Sequence, residues 1–210
     1  MLSNVTSRLI VSISEKEKAS AIVNKKYREE GYVRDEQDTI SKIASYIVEE
    51  NSVVFGAFVG NEIFGTLAFV FDEERGLPME AIYKEEVNIL HGKGFKVGEV
   101  VQFAVDQDIA KKYLSSVEVQ LAAVPLFGRL LSYAKKKNFD YLCISVNPKH
   151  VSFYSLIGFE KIGELKHYAS VDAPAVAMSF SLKEIDNADF GKNAVTKMIK
   201  YFSSLYEGLD

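Results

Sequence analysis

Apolar and polar positions alternate from Arg8 to Ile13, the period of a short half-buried strand, and Ser14-Glu15-Lys16-Glu17 then reads as a helix start with Ser14 as its cap. That helix is expected to run to Glu30 and stop at Gly31. After an acidic turn from Asp35 to Asp38, Ile40, Ile43, Ala44, Ile47 and Val48 fall on one face of a second helical pattern. Two β-branched and aromatic runs, Ser52 to Val59 and Glu62 to Phe71, are separated only by Gly60-Asn61, which predicts a hairpin. Arg75-Gly76-Leu77-Pro78 breaks this pattern, and Pro78 opens a helix carrying Ile82, Tyr83, Glu86 and Leu90. Phe95 to Val105 returns to strand. Ser116 is read as the cap of a long amphipathic helix to Lys137, followed by a short buried strand from Tyr141 to Val146 and a brief helix from Pro148 to near Gly158. Phe159 to Tyr168 and Ala175 to Leu182 are two closing strands, and Val195, Met198, Ile199, Phe202 and Leu205 stripe a last helix.

This order of elements predicts an α/β (α+β) chain with a central mixed sheet flanked by helices. Residues 1–185 are expected to form one domain. The segment 186–210 adds an amphipathic helix that packs on the same domain or on a partner, as in a homodimer. With 48% apolar and 26% charged residues the chain suits a water-soluble globule. Cys143 stands alone, so no internal disulfide forms and a reducing, cytoplasmic setting is expected. Neither a signal peptide nor a membrane anchor is visible in the pattern. A net charge of -4 argues against nucleic acid as a partner.

The chemistry starts with Glu99. Strict alternation along Phe95 to Val105 puts its carboxylate on one face with Val97, Val101, Phe103 and Val105. Burial there raises its pKa toward the range of a base that takes a proton from an amine; the competing reading is a paired structural carboxylate, or a bulge that turns it outward. Asn147 caps the turn opened by Pro148, at the strand end where α/β sheets place their clefts. His150 and Tyr154, four apart, share a face: the phenol can protonate a thiolate leaving group and the imidazole orient it, or both merely satisfy local hydrogen bonds. His91 and His167 lack metal-ligand spacing, and Cys143 reads as core. Phe55, Phe58, Phe64, Phe69 and Phe71 fill a core, with a subset able to line a fatty-chain tunnel.

Asn147 to Phe159 resembles the segment of GNAT acyltransferases that runs from Asn through a Phe-Tyr pair to Gly-Phe, in which the Tyr faces the donor thiol. Gly76-Leu77-Pro78, the following helix and Gly98-Glu99-Val100-Val101-Gln102-Phe103-Ala104-Val105 resemble the N-acyl amino acid synthases, and Tyr27-Arg28-Glu29-Glu30-Gly31-Tyr32 is similar to their early Tyr-Gly-Tyr segment. The acyl-homoserine-lactone autoinducer synthases are related. Their strand carries Arg three residues after the Glu, where this chain has Gln102, which counts against an S-adenosylmethionine acceptor.

The resemblance implies a GNAT-like fold and an acyltransferase moving an acyl group from a thioester to the amine of an amino acid or similar small molecule. It implies Glu99 as base, Tyr154 as acid, and N–H groups of Phe103, Ala104 and Val105 on the thioester carbonyl. Asn147 and His150 then belong to the donor side, and Tyr27, Arg28, Tyr32, Arg75 and Leu77 close over the acceptor. Asp106 to Lys112 lacks the glycine-rich loop that holds the coenzyme A pyrophosphate. No cofactor is tightly held in this reading: the donor is an acyl-carrier protein's phosphopantetheine thioester, with Lys111, Lys112 and Arg129 as docking charges, or else acyl-coenzyme A. Two rival readings are a coenzyme A-dependent GNAT N-acetyltransferase and a non-catalytic GNAT-like module that binds a carrier protein or acyl ligand.

Overall fold

The computed structural model describes residues 2, 4–32, 45–47, 51–73, 76–169, 172–187 and 190–208. Strands β1 (Val5–Leu9), β2 (Ser52–Val59), β3 (Glu62–Phe71), β4 (Val97–Val105), β5 (Tyr141–Val146), β6 (Glu160–Lys161), β7 (Lys166–Tyr168) and β8 (Ala173–Ser181) form one sheet, ordered β1-β2-β3-β4-β5-β8-β6 with β7 also on β8. Every pairing is antiparallel except β4 with β5. The parallel step needs a crossover, and α3 (Gln107–Ala110), α4 (Ser116–Gln120) and α5 (Val124–Lys136) supply it. Helix α1 (Ile13–Glu29) follows β1, α2 (Glu80–His91) lies between β3 and β4, α6 (Val151–Leu156) follows β5, and α7 (Ala194–Leu205) closes the chain.

Several boundaries move for identifiable reasons. The first strand is Val5–Leu9, and Ser12 rather than Ser14 caps α1, accepting the Glu15 N–H. The single long helix expected from Ser116 is broken in two. Ser115 and Glu118 form a capping box on α4, and Pro125 at the start of α5 has no N–H to continue a helix through Leu121–Ala123. The strand expected over Phe159 to Tyr168 is interrupted between β6 and β7. The helix expected after Asp35 lies outside the described residues, except for a single 3-10 turn at Ser45–Ile47 whose Ile47 is buried; Ile40, Ile43, Ala44 and Val48 are among those outside. The Gly60-Asn61 hairpin forms with Val59 opposite Glu62, Gly60 taking a left-handed φ of 57°.

The sheet separates two layers of core. One face packs Leu126, Phe127 and Leu130 of α5 against Phe55, Leu67 and Val100, and α7 seals that layer through Ile199, Phe202 and Tyr206. On the other face α1 presents Ile22 and Val23 to Phe58 and Ala104, while α2 presents Tyr83 and Val87 to Val97, Cys143 and Ala177. Helix α7 lies on α5 of its own chain. Among the described residues no helix is long and apolar enough to cross a membrane.

Candidate active site

The parallel ladder between β4 and β5 lasts only three pairs, Val97 with Tyr141, Gly98 with Leu142 and Glu99 with Cys143. Beyond it β4 stays with β3 as far as Val105, and β5 stays with β8 as far as Val146. The two strands therefore part, and a cleft of about 600 Å³ opens between them. A β-bulge contributes to the divergence. The β3–β4 register slips between Thr66 and Ala68, and Gln102 takes a φ of 51°, rare for a residue with a Cβ.

The bulge corrects the alternation expected for this strand. Val97 and Val101 do share the face of Glu99, but Phe103 and Val105 cross to the α5 layer with Val100, because the extra residue shifts the two-residue period by one. Glu99 thus stands on the seam between the α1 and α2 clusters. It does not turn outward: it is 2% exposed, with Oε2 accepting the Met79 N–H at 2.7 Å. That single bond only partly offsets desolvation. Burial pushes the carboxyl up to about 8, with the Met79 N–H opposing and the charge of Glu80 adding to the rise. The Met79 N–H is presented by the chain turn at Pro78, itself fixed by Tyr168 Oη donating to the Pro78 carbonyl at 2.9 Å and by Glu80 accepting the Leu77 N–H at 2.8 Å.

Tyr154 lines the same cleft. Helix α6 follows the Pro148–His150 turn, which Asn147 caps by accepting the Lys149 N–H at 3.2 Å. The Tyr154 ring is held edge-on by Phe127, Phe153 and Phe159. Burial, then the nearby phenols of Tyr27 and Tyr32, push its pKa up, so it carries its proton at working pH. His150 is held neutral, since burial and then the charge of Lys149 lower its pKa. On the third side Tyr27 and Tyr32 meet edge to face at 5.6 Å. Past them, Glu30 at the end of α1 bridges Lys26 at 3.2 Å and Lys149 from across the cleft.

The cleft therefore gathers Glu99, Tyr154, Phe103, Ala104, Val105, Asn147, His150, Tyr27 and Tyr32. It does not gather the other described candidates. Leu77 is core beneath α2, and Arg28 is exposed on α1 outside the lining. Arg129 is corrected as a docking charge. It is 4% exposed, its guanidinium 5.1 Å from the Tyr206 ring and bonded to the Tyr206 carbonyl, so it anchors α7 from within. Lys111 and Lys112 are exposed directly after α3, whose first residue Gln107 lines the cleft. Arg75 lies outside the described residues. Among the described residues no cluster of His, Cys, Asp or Glu could hold a metal ion.

Several lining residues gave no signal in the sequence. Tyr46, Tyr168 and Ser145 enter the cleft through chain turns and strand register, neither of which a local pattern encodes. The Ser145 Oγ is buried without a hydrogen-bond partner among the described residues, an arrangement that costs about 1–3 kcal/mol. On the α3 side the Asp106 carboxylate accepts the N–H groups of Asp108 and Ile109 at 2.9 and 3.1 Å and takes the Lys25 ammonium at 2.9 Å.

A sequence model of the family described as N-acyl amino acid synthase FeeM matches residues 18–181. Among solved structures, FeeM from uncultured soil microbes shares 39% identity, with 86% of this chain and 93% of that chain covered and a TM-score of 0.75. An N-acetyltransferase from Staphylococcus aureus Mu50 shares 14% identity over 85% and 98% of the chains, with a TM-score of 0.53. An aminoglycoside N(6')acetyltransferase from Legionella pneumophila shares 13% over 88% and 95%, with a TM-score of 0.56. These last two show a common fold, that of GNAT-like acetyltransferases. No curated protein matches the sequence.

Proposed function

The chain belongs to the FeeM family of N-acyl amino acid synthases, and on that premise we propose that it joins an acyl group from a carrier-protein thioester to the amine of an amino acid. That it is an acyltransferase follows from the family; the donor, the acceptor and the residue roles are the proposal. The observation that carries it is that Glu99 and Tyr154 line one cleft, a carboxyl raised to about 8 and a phenol that keeps its proton.

In this mechanism the thioester carbonyl enters where β4 leaves β5. Backbone N–H groups of β4 between Gln102 and Val105, freed by the end of the parallel ladder, stabilise the oxyanion. Glu99 takes a proton from the attacking amine, the carbon–nitrogen bond forms, and collapse of the tetrahedral intermediate breaks the carbon–sulfur bond. Tyr154 then protonates the departing thiolate. His150, kept neutral and lining the same cleft, is assigned to orient the phenol without competing as a charge.

The choice of donor rests on Asp106. A diphosphate at the start of α3 would need backbone N–H groups there, but the Asp106 carboxylate already occupies those of Asp108 and Ile109, and the Asp108 carboxylate sits beside it on Lys25. Two carboxylates repel the coenzyme A pyrophosphate. A phosphopantetheine arm carries a single phosphate that remains on the carrier protein, so it avoids this position. The test compares turnover of one acyl chain on coenzyme A and on acyl-carrier protein across the twenty amino acids, with product read by mass spectrometry. The carrier thioester is expected to be the better substrate, and equal use of coenzyme A would overturn the donor assignment. Reversing both Lys111 and Lys112 to Glu is expected to weaken carrier binding roughly tenfold at low salt and to flatten its salt dependence. Unchanged affinity would place the dock elsewhere.

A further inference from the structure

Ser145 is the penultimate residue of β5, its backbone paired with Ala177, and its side chain is on the face of Cys143, whose Cα partner is Glu99. A β-branched apolar residue would suit that strand position better. Instead the chain keeps a hydroxyl whose Oγ is buried and finds no hydrogen-bond partner among the described residues, in a residue that lines the same cleft as Glu99, Val101, Pro78 and Tyr168. Its partner on β8, Ala177, is small and offers no polar side chain. An unpartnered polar atom in a binding cleft is a position where a ligand can complete the bond.

Resting on the acyltransferase reading above, we infer that Ser145 is a second anchor for the acceptor's amino group, accepting one N–H while another proton of the same nitrogen goes to Glu99. Two acceptors on adjacent strands fix the nitrogen and direct its lone pair at the thioester carbonyl. An amine that attacks with Glu99 as base must give up one proton. A primary amine keeps a further N–H for Ser145, whereas a secondary amine would set its alkyl substituent against the Ser145 oxygen and leave it unpaired. The site is thereby selective for primary amines, and N-alkylated amino acids are rejected.

The experiment uses wild type and Ser145→Ala, the best of the twenty amino acids as acceptor, and the N-methyl derivative of that amino acid. In Ser145→Ala the acceptor KM is expected to rise about five- to tenfold, with the KM for the thioester unchanged. The preference for the primary amine over its N-methyl derivative is expected to shrink by a similar factor. Thermal unfolding of the variant should be unchanged or shifted upward, because an unpaired buried hydroxyl has been removed. Wild-type turnover with an unaltered acceptor KM and unaltered N-methyl discrimination in Ser145→Ala overturns this inference alone, and a lowered Tm with both KM values raised assigns Ser145 to the structure instead. Failure of wild type to acylate any of the twenty overturns the function itself and this inference with it.

Discussion

Glu99→Gln is expected to slow the acyl-transfer step about a hundredfold or more while leaving the fold at least as stable as wild type. Glutamine keeps the size of the side chain and its bond to the Met79 N–H, but it accepts no proton. The pH dependence separates catalysis from structure. The active form of Glu99 is ionised, so wild-type single-turnover rates should climb as pH rises through about 8, and the variant should lack that limb. Stability runs the other way. The carboxyl is raised in the folded state relative to 4.5, so the folded protein holds this proton more tightly than the unfolded chain. Stability contributed by the neutral form is full below about 4.5 and is lost as pH climbs to about 8. Glutamine removes that loss, so the variant's advantage in Tm should appear above pH 5 and grow toward pH 8. Near-normal turnover in Glu99→Gln, or inactivity that tracks a collapse in Tm, would take Glu99 out of the chemistry.

Gly128→Val is expected to destabilise the protein by about 3 kcal/mol, through helix packing rather than through the chemistry of the cleft. Gly128 lies in α5 where α7 crosses it, and a Cβ there would stand 2.5 Å from Phe202 Cβ and 3.0 Å from the Ser203 nitrogen. Two of the three closest atoms are backbone, so no rotamer change relieves the contact. Helix α7 must lift, taking Ile199, Phe202 and Tyr206 out of the core and unstacking Arg129 from Tyr206. Urea unfolding, together with proteolysis within α7, reads the effect. A wild-type midpoint with α7 still protected would mean that this close approach does not hold the helix.

Much of the frame was legible because it is written in local periodicity. The hairpin at Gly60-Asn61, the buried strand at Tyr141–Val146 and the stripe of α7 each follow from spacing within one element. Glu99 and Tyr154 stood out for the same reason, a charge within an apolar strand and a phenol on a turn just past a strand end. What remained hidden depends on longer range. Pro125 signals a break, yet the amphipathic stripe on both sides of it reads as continuous. The bulge at Gln102 carries no glycine to betray its left-handed backbone; only the register against Leu67 and Ala68 reveals it, and with it the face of Phe103 and Val105. Arg129 looks like any surface cation in sequence, because its burial is set by Tyr206, 77 residues further on.

The bond from the Ser7 N–H to Tyr206 Oη at 3.0 Å gives α7 a second consequence. Strand β1 is an outer strand of the sheet, so the N–H of Ser7 points away from β2 toward whatever lies beside the molecule. Tyr206 takes that group, the Leu2 carbonyl takes the Val5 N–H, and the Arg8 guanidinium covers the Leu9 carbonyl. A chain ending before Ala194 would lose the Tyr206 plug and expose an unfilled strand edge next to an uncovered apolar layer, the combination that recruits a second copy edge to edge. Shortening this protein from its C-terminus therefore invites aggregation as well as lowering stability, because it removes one of the groups that keep this edge from pairing with a second copy.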